Sequence, residues 1–323
     1  MDRNYKQKLF LILLVLPLTV ACFYGCTKKT KPVQTSSSWC DKELRPQLKN
    51  LTEIKTKRKW FRVHNVGDDV YAIAEPYNYQ EVISYLVLGK EKALLFDTGM
   101  GLDSISIVVK GLTALPVIVL NSHTHYDHVG SNHEFDEIFA MNTGYTKANA
   151  AKGYGHELVK KEVAPDAFCL RRLPNTDTAN YKIRPFKISK FIIDQFIIDL
   201  GGRKIKVTST PGHTPDAIAL LDEQNGYLWT GDTFYEGPIF LFSTETDLNA
   251  YQKSIRKLAL MAAKLKKVFP AHNLPIADPR LLIEANSAFM EIKNGAIKGE
   301  MDEKTVLFKF EKFSFLIEKD LLN

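Results

Sequence analysis

The chain has 323 residues, 45% apolar and 25% charged, which is enough apolar surface for a large core and excludes a fibrous or wholly disordered polypeptide. Its net charge of +6 is uneven: residues 1–31 carry +5 of it, so the body is nearly neutral and lacks the basic footprint that nucleic-acid binding needs. Four cysteines are too few for a disulfide framework, and none has metal-ligand spacing.

Arg3, Lys6 and Lys8 precede an apolar run from Leu9 to Val20, broken by Pro17 and Thr19, and small residues then precede Cys22 and Cys26. Residues 1–26 read as an export signal and resemble a bacterial lipoprotein signal, with Cys22 and Cys26 as the lipidation candidates. The expected location is the bacterial cell envelope, lipid-anchored or periplasmic. An uncleaved signal anchor is the competing arrangement, although the apolar stretch is shorter than the ~20 residues of a spanning helix. Residues 27–58, rich in Lys, Thr, Ser and Gln, read as a flexible tether, which leaves 59–323 as one folded domain. Cys40 is then expected as a tether thiol and Cys169 as a free or buried one; a pairing of the two is the alternative.

Short β-type runs follow at Val70 to Ala74, Val82 to Leu88 and Ala93 to Phe96, the last closed by Asp97-Thr98-Gly99. Asp103 to Leu112 is a short helix candidate, and Val117 to Leu120 an apolar strand that stops at His123-Thr124-His125-Tyr126-Asp127-His128. Phe191 to Thr208 reads as a hairpin across Gly201-Gly202. Ala217 to Leu221 and Tyr227 to Thr230 form another strand pair, delivering the chain to Gly231-Asp232. Asp247 caps a helix whose apolar residues run from Leu248 to Leu265 in three- and four-residue steps. Asp278-Pro279 starts a second helix that runs to Asn294-Gly295, and Val306 to Phe310 with Phe313 to Ile317 suggest a last hairpin. Strands interleaved with peripheral helices imply sheets packed together with helices outside, an α+β arrangement.

Four metal-capable side chains within six residues point to metal. In His-x-His both imidazoles fall on one side of an extended segment, and Asp127 and His128 follow after a turn. Three further motifs each sit just past an apolar segment: Pro211-Gly212-His213-Thr214, Gly231-Asp232-Thr233 and Pro270-Ala271-His272-Asn273.

With these residues the chain resembles the metallo-β-lactamase superfamily from about residue 60 to the C-terminus. The resemblance implies a single-domain, four-layer αββα sandwich with two divalent metal ions at one edge. His123, His125 and His213 would hold one ion, Asp127, His128 and His272 the other, and Asp232 would bridge them; Asp97 would support the ligands from behind. Imidazole and carboxylate donors suit zinc, and iron or manganese are the alternatives. The implied chemistry is metal-dependent hydrolysis: a hydroxide shared by the ions attacks the carbonyl of an ester, thioester or lactone-type small molecule, with Asp127 as the catalytic group that orients it. Tyr126, Phe234 and Tyr235 adjoin ligands and are candidates to line the substrate pocket.

A bridging Asp at position 232 resembles the glyoxalase II-like branch, whereas the common zinc β-lactamases use Cys or Ser in that region. Cleavage of β-lactams and non-catalytic binding of a metal or ligand by a lipoprotein are the two alternatives. His64, His133 and His156 lie outside the motifs and read as surface or satisfied core residues. The oligomeric state is not encoded in any of these features.

Overall fold

A computed structural model describes residues 45–169, 174 and 176–322. The signal, Cys22, Cys26 and the tether up to residue 44 lie outside the described residues. Within the expected tether, residues 46–50 form a 3-10 turn and Thr52–Ile54 forms a strand, β1, so the ordered domain includes residues 45–58 and the boundary at 58 is corrected. β1 lies at a sheet edge and pairs through its backbone with β2 (Arg62–Gly67), which needs no run of apolar side chains.

An eight-stranded sheet continues in chain order through β3 (Val70–Ala74), β4 (Ile83–Leu88) and β5 (Ala93–Phe96), all antiparallel. After helix α1 (Ile105–Leu112) the pairing becomes parallel in β6 (Val117–Leu120) and β7 (Ile138–Met141). Helices α2 (Gly144–Lys152) and α3 (His156–Val159) then precede parallel β8 (Lys190–Ile192). A second sheet contains β9 (Ile197–Asp199), β10 (Lys204–Ser209), β11 (Ile218–Asp222) and β12 (Tyr227–Gly231). The next strand, β13 (Pro238–Leu241), leaves for a third sheet. Helix α4 (Leu248–Met261) leads to β14 (Lys267–Pro270), which closes the second sheet in parallel with β12. Helix α5 (Arg280–Lys293) is followed by β15 (Glu300–Met301), β16 (Thr305–Lys309) and β17 (Ser314–Glu318), which join β13.

Side chains that alternate along the strands sort into layers. Ile83, Tyr85 and Val87 of β4 face inward and pack with Val207, Leu220 and Trp229 of the second sheet, while Leu86 points the other way to Ile105, Val108 and Val109 of α1. On the far side Leu228 and Val268 meet Tyr251, Ile255 and Leu258 of α4 and Leu282, Ala285 and Phe289 of α5. Each fully buried aliphatic or aromatic side chain contributes roughly 1.5–3 kcal/mol. The result is the expected αββα order. Asp247 caps α4 by accepting from the backbone N–H groups of Asn249 and Ala250 at 2.8 and 2.9 Å.

Two further expectations are corrected. The stretch from Phe191 to Thr208 is not one hairpin: β8 completes the first sheet, the chain crosses over at residues 193–196, and only β9 and β10 pair across Gly201-Gly202. Period-two apolarity marks a strand but not the sheet it joins. Cys169 is disulfide-bonded rather than a free thiol. Among the described residues, no helix is long and apolar enough to cross a membrane.

Candidate metal centre

Neighbouring strands end at one edge, and the chain turns there with polar side chains. Asp97 follows β5, the His123 to His128 run follows β6, His213 follows β10, Asp232 follows β12 and His272 follows β14. Two glycines permit the approach. Gly212 has φ +139°, and a Cβ there would stand 2.3 Å from the Tyr251 backbone; Gly231 has φ +50°, and its Cβ would meet the Ser122 side chain at 2.6 Å.

All seven expected ligands converge and are buried or nearly so. Three clusters have donor atoms within 4.8 Å of one another: His123, His125 and His213; His123, His128 and Asp232; and Asp127, His128 and His272. His125 Nδ1 stands 2.9 Å from His123 Nε2 and 3.1 Å from His213 Nε2. Asp232 faces both sides. One of its carboxylate oxygens is 3.6 Å from His213 Nε2, and the other is 3.4 Å from His128 Nε2 and 3.1 Å from His272 Nε2.

The ring tautomers follow from what stands behind each ring. His213 Nδ1 donates to the Phe240 carbonyl and His272 Nδ1 to the Gln80 carbonyl, both at 2.7 Å, because a carbonyl can only accept. His128 Nδ1 donates to Asp97 Oδ2 at 2.9 Å, and the other Asp97 oxygen accepts from the Ser122 N–H at 2.6 Å. In their neutral forms these rings aim Nε2 lone pairs at one another and at carboxylate oxygens. His128 Nε2, His272 Nε2 and Asp232 Oδ1 are buried without a hydrogen-bond partner. Acceptors gathered in this way suit a cation, and imidazole nitrogens with carboxylate oxygens are a fitting donor set for zinc.

Burial, and then the neighbouring His213, push His125 down to about 3; burial also holds His123 well below the ordinary histidine range. Burial opposes charge on His128 and His272 too, yet the carboxylates of Asp127 and Asp232 outweigh it and raise both. Asp232 is held well below the usual carboxylate range: burial raises it, but His272 and His128 dominate.

A cavity of about 190 Å³ opens over the cluster, lined by Gln80, Tyr126, Phe240, Phe242 and Ser243 as well as five of the seven ligand candidates. Tyr126 lines it as expected. Phe234 does not: it is fully buried against Phe313, a core residue. Tyr235 is also corrected, since it packs its ring 4.9 Å from that of His272 and donates its hydroxyl to the Pro238 carbonyl. Missed in the sequence were Gln80, which carries no motif, and Phe240 with Phe242. Alternation of the latter pair with buried Ile239 and Leu241 along β13 was the available signal. His156 lies outside the cavity, its Nδ1 donating to the Tyr181 carbonyl. His64 is buried, but neither ring nitrogen has a partner, so it is not a satisfied core histidine. A larger cavity of about 430 Å³, lined by Arg58, His133, Lys182 and Arg184 among others, contains none of the seven ligand candidates.

A family model described as the metallo-beta-lactamase superfamily matches residues 81–272, a span that contains all seven ligand candidates. The human acyl-coenzyme A thioesterase MBLAC2 is 25% identical over 232 residues, covering 66% of this chain and 81% of that protein. Hydroxyacylglutathione hydrolase of Methylococcus capsulatus is 29% identical over 168 residues, 51% of either chain. A solved metallo-beta-lactamase family protein from Thermus thermophilus superposes with TM-score 0.51 at 20% identity, covering 72% of this chain and 82% of that one, a likeness of fold. With the family model spanning more than half of its length, the chain belongs to the metallo-beta-lactamase superfamily, as a metal-dependent hydrolase.

Proposed function

We propose that the protein is a two-metal acyl hydrolase that cleaves a thioester, or a related ester or lactone, in the cell envelope. The observation that carries the substrate reading is the cavity wall. Beyond the ligand candidates it consists, among the described residues, of Gln80, Tyr126, Phe240, Phe242 and Ser243, with no Lys or Arg among them. A β-lactam antibiotic carries a carboxylate beside its scissile amide, and this wall has no cation to pair with it; a neutral acyl group meets apolar rings instead. The relatives named acyl-coenzyme A thioesterase and hydroxyacylglutathione hydrolase support the same reading.

In this reading His123, His125 and His213 would hold one ion and Asp127, His128 and His272 the other, with Asp232 available to both groups. Two divalent ions, zinc in the leading assignment, would supply a water acidic enough to attack near neutral pH and Lewis acidity for the charge that develops on the carbonyl oxygen. Asp127 lines the cavity, where its carboxylate would accept a hydrogen bond from the attacking water and orient it. Tyr126 and Phe242 flank the acyl group. Gln80 orients His272 through its carbonyl and fixes the Tyr126 hydroxyl through its amide at 3.0 Å.

Purified, zinc-loaded protein assayed against thioesters, esters, lactones and β-lactams tests the reading. Thioester turnover with kcat/KM of about 10⁴ M⁻¹s⁻¹ or more, and β-lactam turnover at least about a hundredfold slower, is expected. Preference for β-lactams, or binding of a panel compound without turnover of any, contradicts it.

We also infer export with lipid attachment at Cys22 or Cys26, which the N-terminal pattern supports. A disulfide at Cys169 is what an oxidising compartment sustains. Incorporated fatty-acid label should vanish when both Cys22 and Cys26 become Ser; label that survives rejects attachment there.

A further inference from the structure

We propose that Asp216 is the positioning residue of the first ligand group, the counterpart of Asp97 under the second. The inference rests on the two-metal reading and extends it to a residue that neither lines the cavity nor belongs to the ligand set. Asp216 is 2% exposed, and its carboxylate accepts three hydroxyl hydrogen bonds: from Thr124 at 2.6 Å, Thr214 at 2.8 Å and Thr146 at 3.0 Å. Thr124 stands between His123 and His125, Thr214 directly follows His213, and Thr146 lies in α2. One carboxylate therefore joins both loops that carry the three imidazoles and ties them to a helix.

The chemistry of the donors explains why a carboxylate is needed. Each hydroxyl has a single proton, and only an ionised carboxylate has enough lone pairs to accept three without donating. Once the Thr124 proton is committed to Asp216, its oxygen accepts from Asn149 Nδ2 at 3.0 Å, and the Thr124 carbonyl accepts the Tyr154 hydroxyl at 2.7 Å. The residue between two ligand candidates is thus held at side chain and backbone. This constraint matters most for His125, which presents Nδ1, the ring nitrogen nearer the backbone, to His123 and His213. A shift of the peptide at Thr124 moves that nitrogen almost directly.

The test is metal affinity, measured by equilibrium dialysis against a chelator and by the visible absorption of the cobalt-loaded full chain. Wild-type protein is expected to take up two ions. Asp216→Ala should weaken one of them about 10- to 100-fold, the effect of removing a group that orients a metal ligand, and leave the other within about twofold. Adding His125→Ala to that variant should weaken the same ion further and still spare the other, whereas adding Asp127→Ala should weaken the remaining ion as well. Two ions held with wild-type affinity, or both weakened alike, overturns the proposal. A wild-type chain that binds fewer than two ions fails the two-metal reading itself, and this claim with it. Should Asp216→Ala not fold, Asp216→Asn decides by the same criterion: it keeps an acceptor oxygen and should weaken the same single ion about tenfold.

Discussion

The His123, His125 and His213 group consists of imidazoles alone, whereas the Asp127, His128 and His272 group mixes imidazole with carboxylate, and the rings respond in opposite directions. Burial, reinforced by neighbouring histidines, drives His123 and His125 down, so these two rings are neutral at physiological pH. In the second, Asp127 and Asp232 overcome burial and hold His128 and His272 up. The second group sets imidazole nitrogens against carboxylate oxygens, and the first sets imidazole nitrogens against one another. Their supports differ to match: a carboxylate behind His128, and hydroxyls converging on Asp216 behind the first group. Asp232 is the element common to both.

Replacing Asp232 breaks the comparison most completely. Asp232→Ala is expected to cut the ions bound from two to one or none and to lower hydrolysis on the order of a thousandfold, the loss of several kcal/mol of charge stabilisation. Unchanged stoichiometry and rate would show that the two groups do not depend on a shared carboxylate.

Glu75 props the turn that carries Asp97 and so sharpens the second half of the comparison. Its buried carboxylate accepts from the Met100 N–H at 2.9 Å and from Trp60 Nε1 at 2.7 Å, and burial pushes it up to about 7. The folded chain then binds a proton there that the unfolded chain, with an ordinary glutamate value of 4.5, releases earlier. Stability contributed by this group is unaffected below that value, falls as pH rises from about 4.5 to about 7, and is lower by about 3 kcal/mol above it. Glu75→Gln does not titrate, so urea unfolding at pH 4.5 and pH 8 should show the variant gaining on the wild type by that order. A pH-independent difference would mean that Glu75 is ionised throughout.

Asp97→Ala tests the support of His128, whose Nδ1 donates to Asp97 directly. It should weaken the second ion about 10- to 100-fold and leave the first unchanged, the mirror image of Asp216→Ala. Equal loss at both groups would show that the supports are not separate. The smallest effect is expected at the cavity mouth, where Phe242 is 42% exposed. Phe242→Ala should raise KM about three- to tenfold for thioesters with longer acyl chains and spare kcat and metal content. A fall in kcat at constant KM would place this ring in the chemistry of the metal groups instead.

The clustering of the ligand candidates was readable because each follows a strand, and a strand end is where a buried backbone hands over to polar side chains. Val117 to Leu120 and Ala93 to Phe96 were read to the residue. Features that carry no side-chain signal were not. The edge strand β1 has no run of apolar side chains, and the partition of Phe191 to Asp199 between two sheets depends on tertiary contacts. Proximity to a motif misled for Phe234 and Tyr235, whose side chains are buried in the core beside the turn that follows β12. The role of Asp216 was invisible because its partners, Thr124, Thr146 and Thr214, are brought together only by the fold.

Restoring metal to chelator-treated protein while following thioester hydrolysis and bound zinc in the same sample tests the central claim most directly. The two-metal account expects negligible turnover without metal and full activity only as the second ion per chain is taken up. Full activity in the metal-free chain, or none with two ions bound, would contradict it.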